Sequence, residues 1–409
     1  MPSFVTHLES AIDGTHLDPS KLQSMHAGRP LWVRYDLEAI ASALKREDLQ
    51  QRDSTIWRYR ELLPVASSDN IVSLGEGMSP LLHCERLGKA LGLRQLYIKD
   101  ESQLPTGSFK SRGLCLAVSM AKQLGVKRLA IPTAGNAGGA MAAYAARAGI
   151  EAYVFMPKDT PLVNRGEATL LGAKSFLVDG LITDCAAIVQ AGAEAMGWFD
   201  LSTLKEPYRI EGKKTMGLEL AEQMDWELPE AIFYPTGGGT GLIGMWKAFA
   251  ELETLGWLEN TRKPRMYACQ SDGCAPIVTA YDRGERFAEP FPNPKTEAKG
   301  LRVPKAIGDF MILDAVRESG GAALAAPEES LIPWMQLAAS SEGISLCPES
   351  AACLATIHSE VQAQRLGADE RIVVFNTGAA QKYVEIQPAD PPEISLAAGI
   401  DWDALKGGN

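Results

Sequence analysis

Paired cysteines and clustered histidines are both missing from this sequence. Its 409 residues include seven cysteines and five histidines, and no two cysteines form a C-x-x-C pair. Scattered cysteines of this kind indicate free thiols in a reducing cytoplasm rather than a disulfide framework. Because the histidines and cysteines do not cluster in the sequence, we expect no metal site, and a Ser/Cys-His hydrolase has no support.

An excess of positive charge and a long apolar run are also missing. The formal net charge is −11, whereas nucleic-acid-binding proteins commonly present a basic face. No stretch reaches the roughly 18 uninterrupted apolar residues of a membrane span, and residues 1–14 lack the pattern of a signal peptide. We therefore expect no nucleic-acid partner, no membrane segment, and a small molecule as the ligand.

Short apolar runs that end in glycine-rich turns recur along the chain, and each turn opens an alanine-rich stretch with helical spacing. Strands that alternate with helices predict parallel sheets buried on both faces. Ligands bind such sheets at the carboxyl ends of the strands, so these turns are the candidate site. The predicted strands are 96–100, 128–133, 152–157, 175–180, 231–239, 265–270 and 371–378.

The chain is long enough for two domains, and we predict an α/β protein of that kind. Residues 1–60 form an N-terminal extension that packs on the main body. Residues 61–113 and 206–409 form the large domain, and residues 114–205 form a small α/β domain. The proline-rich stretch 289–304 is predicted as a long loop, either a lid or an oligomer contact.

The segment LPTGSFKSRG at 104–113 is the strongest candidate for chemistry. Ser108 is predicted as the N-cap of a helix, because apolar residues recur at helical spacing from Leu114 to Leu124. Lys110 then lies in the first turn, where the helix dipole favours a neutral, nucleophilic amine. A lysine that holds pyridoxal 5′-phosphate (PLP) as an imine needs this property; a solvated surface lysine is the alternative.

Three further strand-to-helix turns offer groups for a planar, phosphorylated cofactor. Asn136, in PTAGNAGG, can hydrogen-bond a ring oxygen, and the glycines of 234–249 can turn their N–H groups toward a phosphate. Thr377 follows a buried strand, where a hydroxyl can meet a pyridine nitrogen and leave it largely unprotonated. Each turn alone is also explained as a tight connection between strand and helix.

The basic turn PYRIEGKKT at 207–215 precedes an amphipathic helix. Arg209 could pair bidentately with an anionic substrate group, or the turn could be a solvated surface feature. A competing nucleotide signal also exists, because Gly239, Gly241 and Gly244 form a G-x-G-x-x-G pattern. A nicotinamide dehydrogenase would place an acid about 20 residues further on, and Asp272 lies later than that.

Together these segments resemble the threonine synthases and their relatives, the fold-type II PLP enzymes of the tryptophan synthase β class. The likeness runs from GEGMSPLL at 75–82 to QKY at 381–383. Matching segments in that family read like PTGSFKDRG, S-T-G-N-T-A, EGKKT or EGQKT, a glycine-rich loop and TGxGLK. The resemblance implies a tryptophan synthase β-like fold, PLP as the cofactor, a cytoplasmic enzyme and a homodimer.

The resemblance also implies roles for individual residues. Lys110 would carry the cofactor, Phe109 would flank its ring, Asn136 would bond its 3-hydroxyl, and Thr377 would face its pyridine nitrogen. The residues implied for its phosphate are Gly237, Gly238, Gly239, Thr240 and Gly241. The candidates for a substrate phosphate are Thr133, Arg209 and Lys214.

Several positions depart from the family pattern. Ser111 stands where the family commonly has aspartate, and the last motif reads TGAAQK without its second glycine. Ala134 and Ala137 replace hydroxyl residues that usually help to hold the substrate. Relatives often place a cysteine zinc ribbon before a V-x-Y-D-L segment; VRYDL at 33–37 has no cysteines around it, which predicts a metal-free remnant.

The leading interpretation is a lyase that converts O-phospho-L-homoserine and water to L-threonine and phosphate. EGKKT and the terminal TG favour it. A β-eliminating ammonia-lyase acting on serine, threonine or a related hydroxy- or diamino-acid is the alternative, favoured by Ala134 and Ala137. A fold relative without enzymatic activity is the third. Every PLP interpretation requires Lys110, Asn136, residues 237–241 and Thr377 to meet in one cleft.

Overall fold

The structure is a computed structural model that describes residues 3–386, 391, 393–394, 400 and 402. Within these residues the strands are β1 (Val5–Ser10), β2 (His16–Leu17), β3 (Leu31–Tyr35), β4 (Leu81–His83), β5 (Leu96–Asp100), β6 (Arg128–Pro132), β7 (Glu151–Pro157), β8 (Lys174–Val178), β9 (Phe199–Asp200), β10 (Ala231–Pro235), β11 (Arg265–Ser271), β12 (Ala323–Ala326) and β13 (Ile372–Asn376). The α-helices are α1 (Leu37–Ala43), α2 (Glu85–Leu91), α3 (Lys110–Gln123), α4 (Ala137–Ala148), α5 (Leu162–Leu170), α6 (Ile182–Met196), α7 (Tyr208–Gln223), α8 (Thr240–Thr254), α9 (Pro276–Asp282), α10 (Asp309–Glu318), α11 (Leu331–Glu342) and α12 (Pro348–Gln362).

A six-stranded sheet has the strand order β12-β11-β10-β13-β5-β4. Its strands are parallel except β4, which pairs antiparallel with β5. Every residue of β10 and β13 is buried, as expected for inner strands covered by helices on both faces. All seven predicted strands are present, and the predicted α/β fold with parallel sheets flanked by helices is confirmed.

A four-stranded parallel sheet has the order β8-β7-β6-β9. All of its strands come from residues 114–205, whereas the six-stranded sheet draws on residues 61–113 and 206–409. This membership supports the division into a small and a large domain, which we keep as a proposal. None of the described helices is long and apolar enough to cross a membrane.

The N-terminal extension contains a three-stranded antiparallel sheet in the order β2-β1-β3. Leu8, Leu31 and Val33 are buried and share one hydrophobic core with helix α3. The Tyr35 hydroxyl at the end of β3 donates to Glu211 Oε2 of α7 at 2.7 Å. The sheet is therefore packed against the helices that carry the candidate site.

Helices α3 and α7 approach each other so closely that only glycine fits between them. A Cβ added to Gly212 would lie 2.1 Å from the Arg112 carbonyl oxygen, and one added to Gly113 would lie 3.1 Å from a carbonyl oxygen of α7. The Arg112 guanidinium also binds Glu219 of α7, with Nη1 2.8 Å from Oε2. These contacts fix the first turn of α3, which carries Lys110, against α7.

Candidate active site

The carboxyl ends of three adjacent strands meet at one edge of the large sheet. Strand β13 lies between β10 and β5. The Lys110 segment follows β5, the glycine-rich loop follows β10, and Thr377 follows β13. Asn136 follows β6 of the smaller sheet. Four segments that are distant in the sequence therefore leave strands at the edge where parallel sheets bind ligands.

The Lys110, Thr377 and Asn136 segments are in direct contact. The Phe109 N–H donates to the Thr377 carbonyl oxygen at 3.1 Å. A Cβ added to Gly378 would lie 3.2 Å from Asn136 Nδ2, so the Asn136 amide reaches the same junction. These three of the four predicted segments therefore lie side by side.

Lys110 is the first residue of α3, and the predicted N-cap at Ser108 is wrong. Phe109 occupies the N-cap position, while the Ser108 backbone is still extended, with φ −165° and ψ 158°. The Ser108 carbonyl, rather than its side chain, accepts from the Ser111 N–H and hydroxyl. The buried Ser108 Oγ has no hydrogen-bond partner in the described chain.

The Lys110 amine has a pKa lowered to about 7. Burial is the largest cause, the nearby Arg209 cation adds to it, and Glu349 and Cys347 oppose it. The side chain is nevertheless partly exposed, so it remains open to the cleft. An amine with this pKa is present in both forms near neutral pH, and it can act as a nucleophile or transfer a proton.

The Phe109 ring has two lysine amines against it. Lys110 Nζ lies 4.2 Å and Lys213 Nζ 3.8 Å from the ring centroid, and Lys213 Nζ donates to the Phe109 carbonyl oxygen. The Tyr234 ring of β10 packs edge-on against the same ring at 6.2 Å. Phe109 thereby connects the Lys110 segment to the strand that leads into the glycine-rich loop.

The glycine-rich loop ends at the first turn of α8. A Cβ added to Gly241 would lie 1.9 Å from the Tyr234 hydroxyl, and Gly239 has φ +74°, which favours glycine. Within the described chain, the backbone N–H groups of residues 237–242 donate to no acceptor. Unpaired N–H groups at a helix N-terminus form a ready site for an anion.

Residues 72–378 match the family model described as pyridoxal-phosphate dependent enzyme. The match spans all four segments of the cleft. The chain belongs to the pyridoxal-phosphate dependent enzyme family. As a member of it, the protein is a PLP-dependent lyase of fold type II, and PLP is its cofactor. The nicotinamide dehydrogenase interpretation is thereby excluded.

Two threonine synthases from archaea are similar to this PLP-dependent enzyme over nearly its whole length. The one from Methanocaldococcus jannaschii is 34% identical over 388 residues, 94% of each chain. The one from Methanosarcina acetivorans is 34% identical over 372 residues, 90% of each chain.

Solved structures with the same fold are more distant in sequence. Maize serine racemase has a TM-score of 0.63 at 20% identity, covering 80% of this chain and 91% of its own. Diaminopropionate ammonia lyase from Escherichia coli has a TM-score of 0.64 at 16% identity, covering 82% of this chain and 95% of its own. At such identities the likeness shows the fold alone.

The residues in the cleft fit PLP. The Lys110 amine is nucleophilic near neutral pH, and the free N–H groups of residues 237–242 suit a phosphate. Asn136 Oδ1 accepts from Asn164 Nδ2 at 2.8 Å, which orients the amide. The unpaired Ser108 hydroxyl supplies a further polar group for a ligand in the cleft.

The predicted substrate residues Thr133 and Arg209 differ in their freedom to bind. Thr133 Oγ1 donates to the Gly135 carbonyl oxygen at 3.0 Å and accepts from the Gly135 N–H at 3.1 Å. The Thr133 hydroxyl is therefore already hydrogen-bonded within the turn that contains it. The buried Arg209 donates Nη1 to the Leu201 carbonyl oxygen at 2.8 Å, while its Nε has no hydrogen-bond partner in the described chain and lies 4.0 Å from Glu206 Oε1. Arg209 therefore retains donors for an anion.

Lys214 binds two glutamates away from the Lys110 segment, and its neighbour Lys213 lies beside Phe109 instead. Lys214 Nζ lies 2.7 Å from Glu211 and 2.9 Å from Glu251 and sits 4.1 Å above the Tyr35 ring. The structure thus does not bring Lys214 to the cleft. Lys213 is buried beside Phe109, and burial together with the Lys110 and Arg209 cations holds its pKa well below the usual range.

Sequence reasoning missed a second pair, Glu349 and Tyr383. The Tyr383 hydroxyl donates to both Glu349 carboxylate oxygens, at 2.7 and 2.8 Å, and also contacts Asn136. Glu349 is close enough to raise the Lys110 pKa. Glu349 follows no glycine-rich turn, so the sequence offered no signal for it, whereas Tyr383 ends the QKY segment.

Attachment of PLP to the cofactor-free protein should accelerate as pH rises through about 7. Only the neutral Lys110 amine attacks the cofactor, and its fraction falls about tenfold for each pH unit below the pKa. Stopped-flow absorbance at several pH values measures this midpoint. Arg209→Met removes a neighbouring cation and should move the midpoint upward. A midpoint at the ordinary lysine value in the unaltered protein would contradict the assignment.

Proposed function

We propose that this enzyme converts O-phospho-L-homoserine and water to L-threonine and phosphate. The observation that carries the proposal is the buried Arg209 beside Lys110. Its Nε has no hydrogen-bond partner in the described chain, and the Glu206 carboxylate, whose pKa burial raises to about 7, lies 4.0 Å away. A buried cation that is only weakly paired favours an anionic ligand, and the substrate phosphate supplies one. The similarity to two threonine synthases supports the same reaction.

When bound, PLP supplies the electron sink for chemistry at the substrate's α-carbon. We propose that Lys110 carries the cofactor and moves protons at Cα and Cβ of the substrate, for which a pKa near 7 is suited. Arg209 and Lys213 orient the phosphate that leaves from Cγ. The Tyr383 hydroxyl, which donates to Glu349, also contacts Asn136 and orients its side-chain amide.

For the cofactor we propose the residues that the family resemblance implied. Asn136 bonds its 3-hydroxyl, Phe109 flanks its ring, and the Thr377 hydroxyl meets its pyridine nitrogen. The Thr377 N–H is held by Ser350 Oγ at 3.0 Å, which fixes the position of that hydroxyl. Its phosphate binds the N–H groups of Gly237, Gly238, Gly239, Thr240 and Gly241.

A β-eliminating ammonia-lyase is the second candidate, and the Asn136 loop favours it. Ala134 and Ala137 offer no hydroxyl, and the Thr133 hydroxyl is occupied within its own turn. A substrate without phosphate, such as serine or threonine, would need fewer donors from this loop.

Two product assays on the PLP-loaded enzyme decide between the candidates. Phosphate and threonine should both appear from O-phospho-L-homoserine, in equal amounts. Keto-acid release from serine and threonine, measured in parallel, should be slow. Phosphate without threonine would overturn the proposed reaction, and faster keto-acid release would favour the ammonia-lyase.

Arg209→Met should lower kcat/KM for the phosphorylated substrate by about 10- to 100-fold, the value of one lost charge-assisted hydrogen bond. Keto-acid release from serine should change much less, since serine carries no phosphate. Arg128→Met, at the exposed first residue of β6, is the matched control. An equal loss with both substrates would show that Arg209 supports the fold or the cofactor rather than the phosphate.

We also propose a cytoplasmic homodimer. All seven cysteines are free and buried, which fits a reducing compartment. The dimer rests on the family resemblance, and size-exclusion chromatography with light scattering tests it.

A further inference from the structure

The N-terminal sheet brings the side chains of His7, Glu9 and His16 close together. His7 and Glu9 stand two residues apart on β1, so they share one face of the sheet. His16 of β2 is paired directly opposite Glu9, which places its side chain on that same face. The three ligand atoms lie within 4.8 Å of one another.

The Thr6 hydroxyl lies against the His7 ring. Thr6 Oγ1 is 2.9 Å from His7 Nδ1 and 3.2 Å from the Arg34 carbonyl oxygen. When Nδ1 carries the ring hydrogen and donates it to Thr6, Nε2 is free to bind a metal ion, and a hydrogen bond of this kind orients metal-binding histidines.

His7 Nε2 faces a carboxylate oxygen. It is buried without a hydrogen-bond partner in the described chain, and Glu9 Oε2 lies 3.6 Å away. The other Glu9 oxygen, Oε1, accepts from Arg34 Nη2 at 2.6 Å, so Arg34 keeps the carboxylate ionised. A cation between these two atoms, either a proton on Nε2 or a metal ion, is attracted to both of them.

We propose that His7, Glu9 and His16 bind one divalent transition-metal ion of the zinc class on the outer face of the N-terminal sheet. Two imidazoles and a carboxylate are ligands that Zn²⁺ prefers, and a water would complete the tetrahedron. Bonds of about 2.0–2.1 Å separate tetrahedral ligand atoms by about 3.3 Å. The observed separations from Glu9 Oε2 are 3.6 Å for His7 and 4.0 Å for His16.

His16 is the ligand that has to move. Its ring stacks on His7 with centroids 3.8 Å apart, and its side chain is 66% exposed, so it can tilt toward the ion without disturbing the core. The bound ion would join β1 to β2 across the turn between them. This metal site is independent of the PLP cleft and differs from the metal-free N-terminus that the sequence predicts.

Zinc titration of the chelator-treated, PLP-loaded enzyme against a chromogenic chelator tests the site. One Zn²⁺ should bind per chain at pH 7.5, and binding should weaken as the pH is lowered, because metal-binding histidines must be unprotonated. His16→Ala should weaken binding at least about tenfold. His26→Ala, which alters a histidine paired with Asp13 at 3.5 Å, should leave binding unchanged.

The same titration can overturn the proposal. Zinc binding that is equally tight in wild type and His16→Ala would place the ion elsewhere. The absence of stoichiometric binding would show that His7 and Glu9 form an ordinary ion pair and not a metal site. Zinc should also raise the unfolding temperature of wild type but not of His16→Ala. Unchanged PLP absorbance in both variants controls for the fold, and the same zinc-induced rise in His16→Ala would contradict the assignment.

Discussion

Lys110→Ala should remove the visible absorption band of lysine-linked PLP and lower kcat on the order of 10³-fold or more. The variant loses both the covalent link to the cofactor and the group that transfers protons at the substrate. The fold should persist, because Lys110 is partly exposed at the first residue of α3. Circular dichroism checks the fold, and absorbance checks the link.

Borohydride reduction followed by peptide mapping identifies the linked lysine directly. Lys213 is the informative competitor, because its amine lies 3.8 Å from the same Phe109 ring. The reduced cofactor should be found on Lys110 in wild type and on neither lysine in Lys110→Ala. Labelling of Lys213 in the wild-type enzyme would exchange the roles of the two residues. Lys158→Ala, at an exposed site, should behave as wild type.

Glu219→Gln should lower the free energy of unfolding by about 3–5 kcal/mol, the usual cost of breaking a buried ion pair. The Glu219 carboxylate binds Arg112 and Lys99, and it also accepts from the Ser79 N–H at 2.7 Å. All of these groups are buried. The glutamine leaves two buried cations with Glu101 as their remaining carboxylate. Urea denaturation measures the loss.

The pH dependence of stability gives the same group a second signature. Burial alone would raise the Glu219 pKa, but Arg112 and Lys99 outweigh it and lower the pKa to about 2. A lowered folded-state pKa gives stability that is present above the unfolded value of about 4.3 and is lost toward pH 2. Wild type should lose stability across that window, and Glu219→Gln should show a smaller loss.

An exposed ion pair provides the control for this prediction. Lys158 and Asp179 lie 3.2 Å apart with mostly exposed side chains, so Asp179→Asn should change stability by about 0–1 kcal/mol. Equal effects of the two substitutions would contradict the structural role assigned to the buried network.

The regular strands and the chemistry-bearing turns were predictable from local sequence. Continuous apolar runs mark the inner strands of a parallel sheet, and all seven such runs are strands. Four of the six missed strands carry weak signals: β2 and β9 have two residues each, β4 has three, and β12 reads Ala-Leu-Ala-Ala without a β-branched or aromatic residue. The other two, β1 and β3, lie in the N-terminal extension, for which no strand was predicted.

The choice of Lys214 over Lys213 shows where local sequence is insufficient. Helix α7 is buried on every side from Tyr208 to Ala221, so no polar face tells which lysine points to the cleft. Partners from distant segments decide instead: Glu251 and Tyr35 hold Lys214, and Phe109 holds Lys213. These contacts depend on tertiary structure that no local pattern encodes.

The position of β13 also determines when, during synthesis, the protein can hold its cofactor. This late strand is inserted between β10 and β5, so a nascent chain that ends before residue 372 leaves both neighbours with open edges. Such a chain also lacks the Thr377 carbonyl that accepts from Phe109. We therefore expect stable PLP binding only after β13 has been synthesised. Chains that end before β13 should be prone to aggregation and proteolysis, because their sheet edges are uncovered and no bound cofactor stabilises them.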